Sequence, residues 1–133
     1  MKKISIIFMA IAFLFLASCT GREKEISQKT LSFLDAYFKT DFALAGTFCT
    51  NAMALELKEK FKSIDSLDPV IKQMLQNHSS LIQTQILAVE RFKRGDSAKV
   101  SYRVIMPEGK QYFDKSISLV MEDKEWRISK LGK

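Results

Sequence analysis

The spacing of apolar positions changes twice along this chain, and each change marks a structural boundary. An uncharged apolar run from Ile6 to Leu16 follows Lys2 and Lys3 and ends on the small residues Ala17, Ser18 and Cys19. From Ile26 the apolar residues return at helical spacing. Ile26, Phe33, Leu34, Tyr37 and Phe38, with Thr30 between them, predict an amphipathic helix to about Thr40 with an aromatic inner face. Asp41 to Phe48 is alanine-rich and contains Gly46, which suits a short second helix closed by a turn. Thr50 or Asn51 then offers an N-cap. Met53, Leu57, Phe61 and Ile64 recur on the face opposite Glu56, Lys58, Glu59 and Lys62, giving a third helix. Asp68 and Pro69 start a fourth, because aspartate accepts an orphan amide bond and proline at the first helical position loses none. Its stripe is Ile71, Met74, Leu75 and His78.

After Ser79 and Ser80 the period falls to two. Ile82, Thr84, Ile86, Ala88 and Phe92 alternate with polar residues in a first strand, although Leu87 and Val89 make both of its faces partly apolar. Lys93 to Asp96, containing Gly95, is the next turn. Val100, Tyr102, Val104 and Met106 alternate with Lys99, Ser101 and Arg103 in a second strand, which ends at Pro107, Glu108 and Gly109. The third strand runs from about Gln111 to Met121. Glu122 to Lys124 turns it into the last, Trp126 to Leu131. Helices followed by four strands on short turns predict an α+β fold, with N-terminal helices packed on one face of an antiparallel meander.

The opening segment has the plan of an export signal: positive start, apolar centre, small residues at the cut. Its apolar run is shorter than the roughly 20 residues of a membrane span. Leu16-Ala17-Ser18-Cys19 resembles the lipobox of bacterial lipoproteins, in which the cysteine is lipidated and becomes the first residue after cleavage. The resemblance implies a signal peptide over residues 1–18, lipidated Cys19 with a short tether over 19–25, and one domain over 26–133. Several acyl chains on one residue hold a protein stably at a membrane, where a single chain does so only marginally. The expected location is therefore lipid-anchored at the cell membrane or outer membrane, with the domain in the periplasm or at the cell surface. An ordinary signal peptide cut near Ala17, or an uncleaved anchor, remains the alternative.

Charge changes this picture little. Loss of Lys2 and Lys3 with the signal lowers the net charge from +6 to +4. The surplus is confined to residues 89–133, with eleven basic and seven acidic groups, against eight of each in residues 20–88. Because positives alternate with acids, a solvated strand surface is expected rather than a polyanion site. An exported location also argues against nucleic acid. Lipidation of Cys19 leaves Cys49 as a lone thiol among apolar neighbours, read as a buried small hydrophobe. Left unmodified, Cys19 and Cys49 could pair in an oxidising compartment.

Two stretches near the end carry a second resemblance. Gly95-Asp96-Ser97-Ala98-Lys99-Val100 and Glu122-Asp123-Lys124-Glu125-Trp126-Arg127-Ile128 each enter a strand through a turn. With the preceding helices they resemble small bacterial lipoproteins of unknown function in the nuclear-transport-factor-2-like, or cystatin-like, superfamily, which includes ketosteroid isomerase. Glu125 departs from the small or basic residue frequent at that turn. The resemblance implies a curved sheet closing a cone-shaped pocket against the first helix, and sometimes a homodimer through the sheet. Phe33, Tyr37, His78, Tyr102 and Trp126 are the candidate pocket residues, although aromatic stripes are more often core and a histidine near a helix end is often only favourable with the dipole.

The function expected is that of a non-catalytic, membrane-anchored envelope lipoprotein binding a small molecule, glycan or partner protein through the pocket or sheet face. No cofactor is implied. One histidine and a distant cysteine lack the clustered spacing of a metal site. The alternative is a ketosteroid-isomerase-like enzyme using a buried carboxylate as base, which requires Asp35, Asp41 or Glu90 inside the cone beside a tyrosine.

Overall fold

The computed structural model describes residues 23–92, 96–109 and 111–132. The signal, Cys19, the first part of the tether and the centre of the Lys93–Asp96 turn lie outside the described residues. Helix α1 covers residues 23–38, followed by α2 (Phe42–Gly46), α3 (Asn51–Asp65) and α4 (Pro69–Ser80). Four strands follow, β1 (Gln83–Arg91), β2 (Ser97–Ile105), β3 (Tyr112–Glu122) and β4 (Glu125–Leu131). They form one antiparallel sheet in sequence order. The expected α+β architecture is what the chain adopts.

The core lies between α1 and one sheet face. Ile26, Phe33 and Leu34 from α1 meet Val100, Tyr102, Ile117, Leu119, Trp126 and Ile128 from the sheet, all buried. Thr30 is the one polar residue in that layer, and its hydroxyl is satisfied by donating to the Ile26 carbonyl at 2.8 Å. Alternation sets this face. Ala98, Val100, Tyr102 and Val104 point inward from β2, while Lys99 and Arg103 point outward. Arg103 forks onto Asp114 across the strand pair at 2.8 and 3.1 Å and lies over the Tyr112 ring. The two-residue turn between β3 and β4 places Asp123 and Lys124 at φ 51° and 65°, the left-handed pair that matches the twist of a hairpin.

Both sheet edges depart from simple alternation. In β1 a register shift between Ile86 and Ala88 leaves Leu87 and Ala88 exposed and turns Val89 and Arg91 partly inward. A bulge inserts one residue and moves every later side chain to the other face, so Ala88 and Phe92 leave the inner row that period two predicts. The free edge of β4 is covered by residues 48–50. The Thr50 amide donates to the Ile128 carbonyl at 2.9 Å, and the Ile128 amide donates to the Phe48 carbonyl at 2.8 Å.

Helices α3 and α4 start where the sequence predicts, by the expected bonds, whereas α1 is already helical at residue 23, within the stretch expected to be tether. The Thr50 hydroxyl accepts from the Met53 amide, and the Asp68 carboxylate from the Val70 amide. Their stripes are used unequally. Met53 and Leu57 of α3 are buried, but Phe61 is 40% exposed. In α4 no residue is buried: Ile71, Met74, Leu75 and His78, the expected inner stripe, all face solvent.

Candidate functional site

The join between α1 and α2 borders a concavity lined mainly by apolar side chains. Helix α1 ends in a Schellman arrangement: the Thr40 amide donates to the Tyr37 carbonyl at 3.1 Å, and the Asp41 amide donates to the Ala36 carbonyl at 2.9 Å. That closure requires a left-handed residue just past the helix, and Thr40 occupies it at φ 60°. Glycine is the customary residue there. A β-branched side chain in this region is a true conformational outlier. Asp41 follows as the N-cap of α2, its carboxylate accepting from the Leu44 amide at 3.2 Å.

This sharp reversal sets α2 against α3 and leaves a groove of about 550 Å³ between them, within the size range of small-molecule sites. Phe42, Ala43 and Gly46 form one wall, and Ala54, Lys58 and Phe61 the other. Gly46 comes near Ala54: a Cβ built there would lie 3.7 Å from that alanine's, so small residues set the spacing of the two helices. Aromatic contacts run from the groove into the core. Phe42 meets Phe61 edge-on at 6.3 Å between centroids and Tyr37 at 5.6 Å, and Tyr37 stacks on Phe33 at 5.7 Å. Thr40 lines the groove mouth, and its hydroxyl oxygen is buried without a hydrogen-bond partner. Lys58 supplies a positive charge that makes no ion pair among the described residues. The combination is an apolar trough bordered by one unused hydroxyl, one ammonium and the Asp41 carboxylate, which is engaged by the Leu44 amide.

The five residues expected to line a pocket are distributed over three environments. Phe33, Tyr102 and Trp126 are enclosed in the core. Burial, and secondarily the nearby Tyr37 phenol, pushes the Tyr102 phenol above its ordinary value. Tyr37 is half-buried behind Phe42, and its oxygen accepts a long 3.5 Å bond from Lys60. His78 lies elsewhere, in the last turn of α4, beside an open cleft it shares with Leu81, Met106, Pro107, Glu108 and Gln111. Sequence reasoning thus reached Tyr37 at the back of the groove but missed Thr40, Phe42, Ala54 and Lys58. No sequence signal marked them, because a threonine does not announce the left-handed turn that opens the groove.

The requirement of the enzymatic alternative is not met by the three carboxylates. Asp35 is exposed and pairs with Lys39 at 3.1 Å, Asp41 is exposed and caps α2, and Glu90 is exposed on β1. Cys49 is buried, with its thiol donating to the Ala45 carbonyl at 3.3 Å, and burial pushes its pKa up to about 12. A thiol held this far above neutral pH is a packing group rather than a nucleophile. Among the described residues no three metal-ligating side chains come together, and no helix is long and apolar enough to cross a membrane.

No protein-family model matches the sequence, and no curated protein matches it. Solved structures do match its shape. A proposed NTF2-like transpeptidase from Campylobacter jejuni superposes with a TM-score of 0.51 at 11% identity, covering 78% of this chain and 96% of that one. An NTF-2-like protein of unknown function from Shewanella oneidensis MR-1 gives the same TM-score and identity, covering 82% of this chain and 99% of that one. At this identity the likeness establishes the fold: helices on a four-stranded antiparallel sheet, in the nuclear-transport-factor-2-like manner. That fold serves both ligand binders and enzymes, so function rests on the site.

Proposed function

We propose that this protein is a non-catalytic binding protein whose α2–α3 groove takes a small, largely apolar molecule carrying one polar or anionic group. The observation that carries this reading is Thr40: a strained, left-handed β-branched residue whose buried hydroxyl has no partner, set in an apolar groove. Strain and an unsatisfied polar atom both cost stability, and they persist where a site uses them. Phe42 and Phe61 would contact the apolar body, Thr40 the polar group, and Lys58 a negative charge.

Dodecanoate has that chemistry and serves as the probe. Titrated into isotopically labelled protein, it should shift the amide resonances of Phe42, Gly46, Ala54 and Phe61 saturably. Phe61→Ala should weaken the interaction at least several-fold. Shifts confined to α4, or none at millimolar ligand, would sink the reading.

The lipobox-like Leu16-Ala17-Ser18-Cys19 supports placing this binder at a membrane surface of the cell envelope, anchored through lipidated Cys19. With Cys19 four positions before the first described residue, the anchor would hold the start of α1 within about 15 Å of the bilayer. Helix α1 then carries the chain roughly 24 Å to the groove at its other end. Cys19→Ser should abolish metabolic palmitate labelling and leave an unprocessed precursor. Labelling that persists in the variant would refute the anchor while leaving the groove untouched.

A further inference from the structure

Helix α4 is amphipathic, correctly capped, and without a buried residue. Its seam positions, apolar except for His78, keep a strict register. Ile71, Met74, His78 and Leu81 follow at steps of three, four and three, the a–d spacing of a helix-pairing seam, with Val70 and Leu75 beside them. The exposures are large: 66% for Val70 and Met74, 64% for Leu81 and 55% for Ile71. Together these side chains leave on the order of 500 Å² of contiguous apolar surface, the size at which a patch on a monomer marks an interaction site.

We infer that α4 is a homodimerisation helix, pairing antiparallel with α4 of a second copy across a twofold axis. Three observations select a second copy. The seam is apolar at both ends, so it is self-complementary when reversed: Ile71 meets the opposing Leu81, and Met74 meets the opposing His78. Two such patches face to face bury about 1,000 Å², the area at which specific interfaces begin.

The third observation is charge. The seam is flanked by the neutral Gln73, Gln76 and Asn77, and the one lysine of α4, Lys72, is already held by Asp65 at 2.6 Å. A face without free like charges can meet its own copy without repulsion. Antiparallel alignment also sets each positive helix N-terminus beside the other's negative C-terminus. A membrane-surface helix instead carries lysine and arginine along its polar face, which α4 lacks. The outer sheet face, bearing Lys99, Arg103, Asp114 and Lys130, is the more polar alternative.

Single-cysteine scanning of the full chain tests this, because native Cys49 is buried and Cys19 lies far from α4 in sequence. With a short bismaleimide, Met74→Cys should cross-link to itself, being near the axis. Ile71→Cys and Leu81→Cys should each fail alone and cross-link only when the two variants are mixed, since like positions sit about 15 Å apart along the antiparallel pair. Met74→Glu should convert a dimer to a monomer in analytical ultracentrifugation with an unchanged far-ultraviolet circular dichroism spectrum, because the side chain is exposed in the monomer, and should remove the concentration dependence of the melting temperature. Self-cross-linking of Ile71→Cys would indicate a parallel pair and overturn the arrangement. A wild-type chain that stays monomeric at high micromolar concentration would overturn dimerisation itself, as would α4-dependent binding of that monomer to phosphatidylglycerol vesicles.

Discussion

Thr40→Gly separates strain from function most directly. A left-handed conformation costs a non-glycine residue about 1–2 kcal/mol. The buried, unpaired Thr40 hydroxyl adds a desolvation penalty on the order of 1–3 kcal/mol. Glycine removes both but gives back about 0.5–1 kcal/mol through the greater freedom of the unfolded chain. Loss of the half-buried γ-methyl gives back up to about 0.8 kcal/mol more. The balance is a net stabilisation of about 2 kcal/mol. For a domain of this size that raises the melting temperature by roughly 6–10 °C, readable by calorimetry or circular dichroism. Thr40→Val divides the terms, since it discards the hydroxyl while keeping the branched, strained backbone; it should gain less than glycine. Both variants should bind dodecanoate more weakly than the wild type, so stability and binding move in opposite directions. A glycine variant that melts at or below the wild-type temperature would refute the claim that Thr40 stores strain.

Other expectations test other parts of the fold. Cys49 should resist thiol reagents in the native protein and react fully once guanidinium unfolds it; rapid native labelling would contradict its burial. Gly132→Ala should destabilise by about 1–3 kcal/mol in a denaturant titration, because the added methyl would meet the Ser116 carbonyl oxygen at 2.6 Å on an interior strand. The Arg103 fork, by its hydrogen bonds and then its charge, holds the Asp114 carboxyl below its ordinary value. The ion pair's contribution is therefore present at neutral pH and lost only as pH falls through that lowered value. Nuclear magnetic resonance titration should find the Asp114 midpoint below 3.8 and returning upward in Arg103→Gln.

Much of the fold was legible because the signals that specify it are local. A cap is a contact between residues two or three apart, so Thr50 and Asp68-Pro69 announced α3 and α4 from sequence alone. Alternation along β2 likewise put Val100, Tyr102 and Val104 on one face, though not what that face meets. The β1 bulge was not legible. Leu87 between Ile86 and Ala88 reads as a slightly apolar outer position, and only pairing with β2 shows that the register slips there.

The site was harder to see for a related reason. The groove depends on the angle at which α2 leaves α1, which is set by the left-handed turn at Thr40, and threonine carries no sequence signal for that conformation. Phe61 continues the stripe of Met53 and Leu57 yet is left partly exposed, as a wall of the groove.

The sequence by itself determined four helices, four strands, their order, and the α+β class, since periodicity and capping act over one or two turns of chain. Periodicity says that a face is apolar, not what covers it. Only the tertiary structure decided that Phe33, Tyr102 and Trp126 close the core, that Tyr37 backs a groove walled by Phe42 and Phe61, and that α4 presents its seam to solvent. Those outcomes turn on how elements distant in sequence pack, and the same apolar stripe that fills a core on one helix becomes an open surface on another.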